Sequence, residues 1–138
     1  MTKVLNYNVS VPAVVTDAVA IVVPQTPAKV ILAELGIFIL PEAANNNRVE
    51  LKATVGWKGT LGTGSVLFRV FRDNQEIYYA REGFESSFEQ FYLTTLQVID
   101  INAAPGAHGY SLYIEKLTAG AAATVIGPIN LSATVYEV

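Results

Sequence analysis

Apolar and polar residues alternate with period two along most of this chain. Val49, Leu51, Ala53, Val55 and Trp57 alternate with Glu50, Lys52, Thr54 and Gly56. Tyr110, Leu112 and Ile114 alternate with Ser111, Tyr113 and Glu115, and Ile129, Leu131, Ala133 and Val135 with Asn130, Ser132, Thr134 and Tyr136. Successive side chains of a strand point to opposite faces, so each set describes a strand with one face in a core. No window keeps a 3.6-residue apolar stripe over three turns, and no long helix is expected. The pattern places strands near 3–11, 13–23, 29–40, 48–58, 65–72, 76–82, 88–101, 109–117 and 123–137.

Breakers divide these runs. Pro24 and Pro27 end the second, and Pro41 with Asn45, Asn46 and Asn47 ends the third. Gly59 to Gly64 reads as a loose glycine connection, Asp73-Asn74-Gln75 as a tight hairpin, and Ala103-Ala104-Pro105-Gly106 as the turn leading to Tyr110. Many short strands without a helix predict an all-β, two-sheet antiparallel β-sandwich of about eight or nine strands, with jelly-roll topology expected. An immunoglobulin-like sandwich is the alternative. Residues 13–138 read as a single sandwich domain, and residues 1–12 as an N-terminal strand set apart by Pro12. That strand could complete its own sheet or pair with a neighbour's open edge as an intersubunit connector.

Composition adds a reason to expect neighbours. The chain has 138 residues, enough for one core, yet it is 51% hydrophobic and only 15% charged, against a usual charged share of about a quarter. The surplus apolar surface is expected to meet other subunits. Two strands are apolar on both parities. Phe91, Leu93, Ile99 and Ile101 oppose Tyr92, Leu96 and Val98, while Val30, Leu32 and Phe38 oppose Ile31, Ala33, Leu35, Ile37 and Ile39. The outer face of a sandwich sheet is ordinarily wet, so such strands call for a cover, and a second copy is the expected one. The interface candidates are Val4, Leu5, Tyr7, Val9 and Val11 of the first strand, with Tyr92, Tyr113 and Tyr136 read as outward-facing aromatics.

Other classes find little support. The net charge is −3 and the nine basic residues are scattered, unlike a nucleic-acid footprint. Without cysteine there is no disulfide, thiolate metal site or cysteine nucleophile. The most apolar stretch, Val9 to Val23, is interrupted by Pro12 and Asp17 and is short for a bilayer. Neither a signal peptide nor a membrane partner is expected, and the sequons at Asn8 and Asn130 read as chance. Glu82, Glu85 and Glu89 lack the spacing of a calcium loop and read as solvated acids on a sheet edge. His108 has no nucleophile elbow to serve and is read as a structural residue at a strand's start. Gly62-Thr63-Gly64 lacks both the lysine and the helix of a phosphate loop. Trp57 is assigned to the core, and Tyr110 to a tyrosine corner whose hydroxyl bonds upstream backbone. No catalytic residue, metal site or cofactor is expected, and the chain reads as no enzyme.

The runs Arg48-Val49-Glu50-Leu51-Lys52-Ala53-Thr54-Val55-Gly56-Trp57 and Gly62-Thr63-Gly64-Ser65-Val66-Leu67-Phe68-Arg69-Val70-Phe71-Arg72-Asp73 carry a resemblance. So do Glu85-Ser86-Ser87-Phe88-Glu89-Gln90-Phe91-Tyr92, Pro105 to Leu112, and Val125 to Ile129. Together these blocks, within residues 30–135, resemble small spore-surface proteins of Bacillus, of the exosporium protein C type. The resemblance implies a structural subunit of the outer spore layer or of a spore appendage, made in the mother-cell cytoplasm. Its implied partners are copies of itself and other spore-surface proteins, and it brings no site residues. Lacking the cysteines of covalently stapled appendages, this chain would have to assemble by strand pairing and apolar contact. The alternative is a carbohydrate- or surface-binding sandwich module, including a phage or tail-associated one. That reading would need an exposed aromatic row flanked by polar groups.

Overall fold

The computed structural model describes residues 2–138; Met1, which opens the predicted connector, lies outside the described residues. Nine strands are found among the described residues: β1 (Lys3–Ala13), β2 (Ile21–Val22), β3 (Val30–Ile39), β4 (Asn47–Leu61), β5 (Thr63–Arg72), β6 (Gln75–Glu85), β7 (Phe91–Ile101), β8 (Gly106–Lys116) and β9 (Ala122–Glu137). A 3-10 turn, Pro41–Ala43, joins β3 to β4. No helix among the described residues is long and apolar enough to cross a membrane.

The strands pair as a set of nested hairpins. The β5–β6 hairpin turns at Asp73-Asn74, where Arg72 opposes Gln75, as the sequence predicts. Around it β4 pairs with β7, then β3 with β8, then β1 with β9, all antiparallel. Lateral pairing of β9 with β4 and of β8 with β5 gathers these ribbons into two sheets. The larger has the order β1-β9-β4-β7 with β2 beside β9, and the smaller β3-β8-β5-β6. This alternation between sheets is the jelly-roll arrangement, so the immunoglobulin-like alternative is set aside.

The alternating sets fill the space between the sheets. Val49, Leu51, Val55 and Trp57 of β4 and Ile129, Leu131 and Val135 of β9 are buried against Tyr110, Leu112 and Ile114 of β8. In β3 a register shift between Ile31 and Ala33 buries both Leu32 and Ala33 and reverses the parity. Ile31 and Phe38 thereby come to lie outside.

Several boundaries differ from the sequence reading. The predicted strand 13–23 is mostly a turn, with Asp17 at a left-handed φ of 64°, and only Ile21–Val22 pairs. Pro12 does not end the first strand, because β1 is an edge strand and an edge position tolerates a missing N–H. The glycine loop is a single turn at Gly62, φ 69°, since β4 runs on to Leu61. Residues 88–90 precede β7 and do not belong to it.

Candidate interaction surface

Eight of the exposed large apolar side chains gather in two columns on the outer face of the larger sheet. On β1, register with β9 puts Val4 beside Tyr136, Tyr7 beside Thr134 and Val9 beside Ser132, so these side chains face outward. Val4, Tyr7, Val9 and Val11 are all exposed. On β7, at the opposite edge, Phe91, Leu93, Ile99 and Ile101 form a second exposed column. Across both columns exposure runs from 45% at Val9 to 63% at Phe91 and Leu93. Between them the face is polar, with Arg48, Glu50, Lys52 and Thr54 on β4. Lys52 and Glu50 pair at 3.4 Å, and Gln97 donates to Glu50 at 3.3 Å.

At one end the β7 column opens into an apolar cleft of about 750 Å³. Val14, Val15, Phe91, Leu93, Ile126 and Pro128 line it, together with Gly56 and Gly127. The two glycines are there because their backbones touch: a Cβ on Gly56 would lie 2.0 Å from the Gly127 carbonyl oxygen.

The other predicted interface residues are dispersed. Leu5 is half-buried and packs against the core, and Tyr136 is half-buried beside Val4. Tyr113 sits on the smaller sheet's outer face, its ring edge-on to Phe71 at 5.4 Å, with the Lys29 ammonium 5.1 Å from its centre. Tyr92 corrects the parity of β7. It opposes Trp57 in register and therefore faces inward, stacked on the fully buried indole at 4.5 Å. Its hydroxyl accepts the Glu85 N–H at 2.8 Å. The outward residues that the reading missed are Phe91, Leu93, Ile99 and Ile101. Their apolar parity was visible in the sequence, but which parity faced out was not.

The polar groups between and behind the sheets are occupied with one another. Asp100 accepts two bonds from Arg72, at 2.6 and 2.7 Å, and one from the Tyr110 hydroxyl at 2.7 Å. Tyr110 thus bonds a carboxylate on β7 and not upstream backbone, which corrects the tyrosine-corner expectation. Burial, then the bond to Asp100, pushes the Tyr110 hydroxyl well above its ordinary value, while the same carboxylate raises Arg72. On the smaller sheet's outer face Arg69 bridges Glu76, at 2.8 and 2.9 Å, and the buried Glu115. Burial alone would raise Glu115, but hydrogen bonds from Arg69 and Thr26 outweigh it and hold the carboxyl low.

His108 lies near the start of β8, as expected, with Nδ1 2.7 Å from Asp73 and Nε2 2.6 Å from the Ala104 carbonyl. Asp73 also accepts the Gly109 N–H at 2.9 Å, and its carboxyl is lowered by His108 first and Gly109 second. These bonds tie the β5–β6 turn to β8. Glu82 contacts Thr94, while Glu85 and Glu89 are exposed. Among the described residues no three metal-ligating side chains converge.

No protein-family model matches the chain, and no curated protein matches it. Solved structures do. A chain of infectious bursal disease virus, Gt strain, matches at 12% identity with a TM-score of 0.50, over 95% of this chain and 37% of that one. A chain of the T13 viral particle of the same virus matches at 11% identity and a TM-score of 0.49, over 95% and 35%. TmCBM61 in complex with β-1,4-galactotriose matches at 14% identity and a TM-score of 0.32, over 91% and 86%. The chain therefore spans little more than a third of those virus chains. At this identity the first likeness speaks for the β-sandwich fold alone.

Proposed function

We propose that this chain is a non-catalytic structural subunit that self-associates through the outer face of its larger sheet. The observation that carries the reading is the pair of exposed apolar columns, Val4, Tyr7, Val9 and Val11 on one edge and Phe91, Leu93, Ile99 and Ile101 on the other. Burying such side chains against another subunit gains about 25 cal/mol per Å² of apolar surface, whereas leaving two columns in water makes the monomer adhesive. The sequence resemblance supports a place on the exterior of a bacterial spore, in an exosporium layer or appendage, beside copies of itself and other spore-surface proteins.

Light scattering across concentration, with negative-stain microscopy, tests this. The wild type is expected to form multimers or regular particles, and Leu93→Lys with Val9→Lys to shift the mass toward 14.9 kDa. A wild type that stays monomeric at every concentration would refute the reading.

One observation favours a second reading, a carbohydrate- or surface-binding module. On the smaller sheet Gly36 pairs with Gly109, and a shallow trough of about 640 Å³ there is lined by Glu34, Asp73, Asn74, Ser111 and Tyr113. A Cβ on Gly109 would meet nothing within 4 Å, so packing does not require that glycine. Glycine inside a strand often marks close approach by a ligand. Binding of the monomer to a glycan array, abolished by Gly109→Leu, would promote this reading over self-assembly.

A further inference from the structure

Resting on the reading that the chain self-associates, we propose that β7 pairs edge-to-edge with β7 of a second copy. The two strands run antiparallel about a two-fold axis at Leu96, fusing the larger sheets into one. The proposal stands on the state of the four sheet edges, on which backbone groups β7 leaves free, and on the order of its outward side chains.

An open strand edge invites pairing, and proteins blunt it with bulges, prolines, charges or a cover. Among the described residues three of the four sheet edges are blunted, and the edge formed by β1 is continued only by the two-residue β2. β1 carries Pro12 and two register shifts. β3 has a register shift, and the Asn8 and Asn6 amides reach across from β1 to its carbonyls at Gly36, 2.8 Å, and Phe38, 3.5 Å. β6 has a register shift against β5 and bears Glu76, Arg81, Glu82 and Glu85. β7 has none of these devices. Its ladder with β4 is unbroken from Phe91 to Ile101, it contains no proline, glycine or basic residue, and its one charge, Asp100, turns inward to Arg72 and Tyr110.

The free groups follow from the register. Gly59 N–H donates to Gln90 and Asn102 N–H to Asn47, at the two ends of the β4–β7 ladder. Both bonds belong to even-numbered residues of the β7 side, so the even residues face β4 and the odd ones direct N–H and C=O to the open edge. Among the described residues, no backbone group from Phe91 to Ile101 takes a partner outside that ladder. These odd residues also carry the exposed column.

Read outward, the odd positions are Phe91, Leu93, Thr95, Gln97, Ile99 and Ile101. The order is apolar, apolar, polar, polar, apolar, apolar, the same from either end. A two-fold axis at Leu96 sets Phe91 against Ile101 of the second copy, Leu93 against Ile99, and Thr95 against Gln97. Every free donor then meets a free acceptor, making about twelve hydrogen bonds, with like polarity side by side on the outer face. An axis at Thr95 or Gln97 keeps the hydrogen-bond parity but opposes Leu93 to Gln97, or Thr95 to Ile99. The side-chain order thus selects the central register. A second copy is the occupant because the strand is complementary to itself.

The experiment combines a proline with a register-specific cross-link. Gln97→Pro removes an N–H that the monomer does not use, so the fold is expected to survive while the pairing is blocked. By light scattering the wild-type mass should be at least twice 14.9 kDa, and Gln97→Pro should lower it twofold or more. The chain has no cysteine of its own. Opposed residues of a hydrogen-bonded pair have Cα atoms about 5.5 Å apart, within disulfide reach. A mixture of Thr95→Cys and Gln97→Cys chains should therefore give about tenfold more oxidised dimer than either variant alone. If Gln97→Pro fails to fold by circular dichroism, the cross-link decides. Multimers that lack this preferential cross-link would overturn β7 pairing and leave self-association standing. A wild type that is monomeric throughout would remove both.

Discussion

Replacing Tyr110 by Phe removes one hydroxyl from a fully buried site and leaves the ring packed. The lost bond is 2.7 Å long and ends on Asp100, an 8% exposed carboxylate that keeps both bonds from Arg72. Hydrogen bonds to a charged group contribute about 1.5–3 kcal/mol. Because Asp100 is not orphaned, the loss should fall in the lower half, about 1.5–2 kcal/mol. Arg72→Met differs in kind: it leaves a buried carboxylate with only a phenol for a partner, a change that costs about 3–5 kcal/mol. For a chain of this size, about 4 °C of Tm per kcal/mol gives drops of about 6–8 °C and 12–20 °C. Circular-dichroism melts, with urea titration, measure both. The pH dependence supplies a second arm. Burial and Asp100 raise the folded-state pKa of Tyr110 above the unfolded value near 10. Its contribution is therefore complete below about pH 10 and is lost as pH rises further. Tyr110→Phe should lack that alkaline loss. Arg72→Met melting no lower than Tyr110→Phe would refute the reasoning, since the carboxylate could not then depend on the guanidinium.

Three more outcomes follow from the geometry. Gly56→Ala drives a Cβ to 2.0 Å from the Gly127 carbonyl oxygen, backbone against backbone; it should lose at least the about 1–3 kcal/mol usual for overpacking, read from the urea midpoint. Asp73 and Glu115 have lowered folded-state values, so their stabilisation is present above the unfolded pKa near 4 and fades as pH falls below it. The urea midpoint should decline through that window, and Glu115→Gln should flatten the decline while lowering the plateau. Asn8→Ala removes the 2.8 Å bond to the Gly36 carbonyl and should cost about 0.5–1.5 kcal/mol, with faster hydrogen exchange in β1.

Where one face of a strand was apolar and the other polar, the sequence determined both the strand and its orientation. The alternations in β4, β8 and β9 fixed which side chains enter the core, because period two leaves no other way to bury them. The hairpin at Asp73-Asn74 and the two-sheet architecture were legible for the same local reasons. β7 was different. Phe91, Leu93, Ile99 and Ile101 could have been core as readily as Leu96 and Val98, and a period-two signal with apolar residues on both parities carries no sign. The sign came from β4, whose buried Trp57 takes Tyr92 as its cross-strand partner and so turns the other column to solvent. Long-range pairing likewise chose Asp100 for the Tyr110 hydroxyl and left β7 at an edge. The palindrome in β7 stood in the sequence throughout. It gained meaning only when the sheet order showed which backbone groups were left without a partner, a property of neighbours that no single strand records.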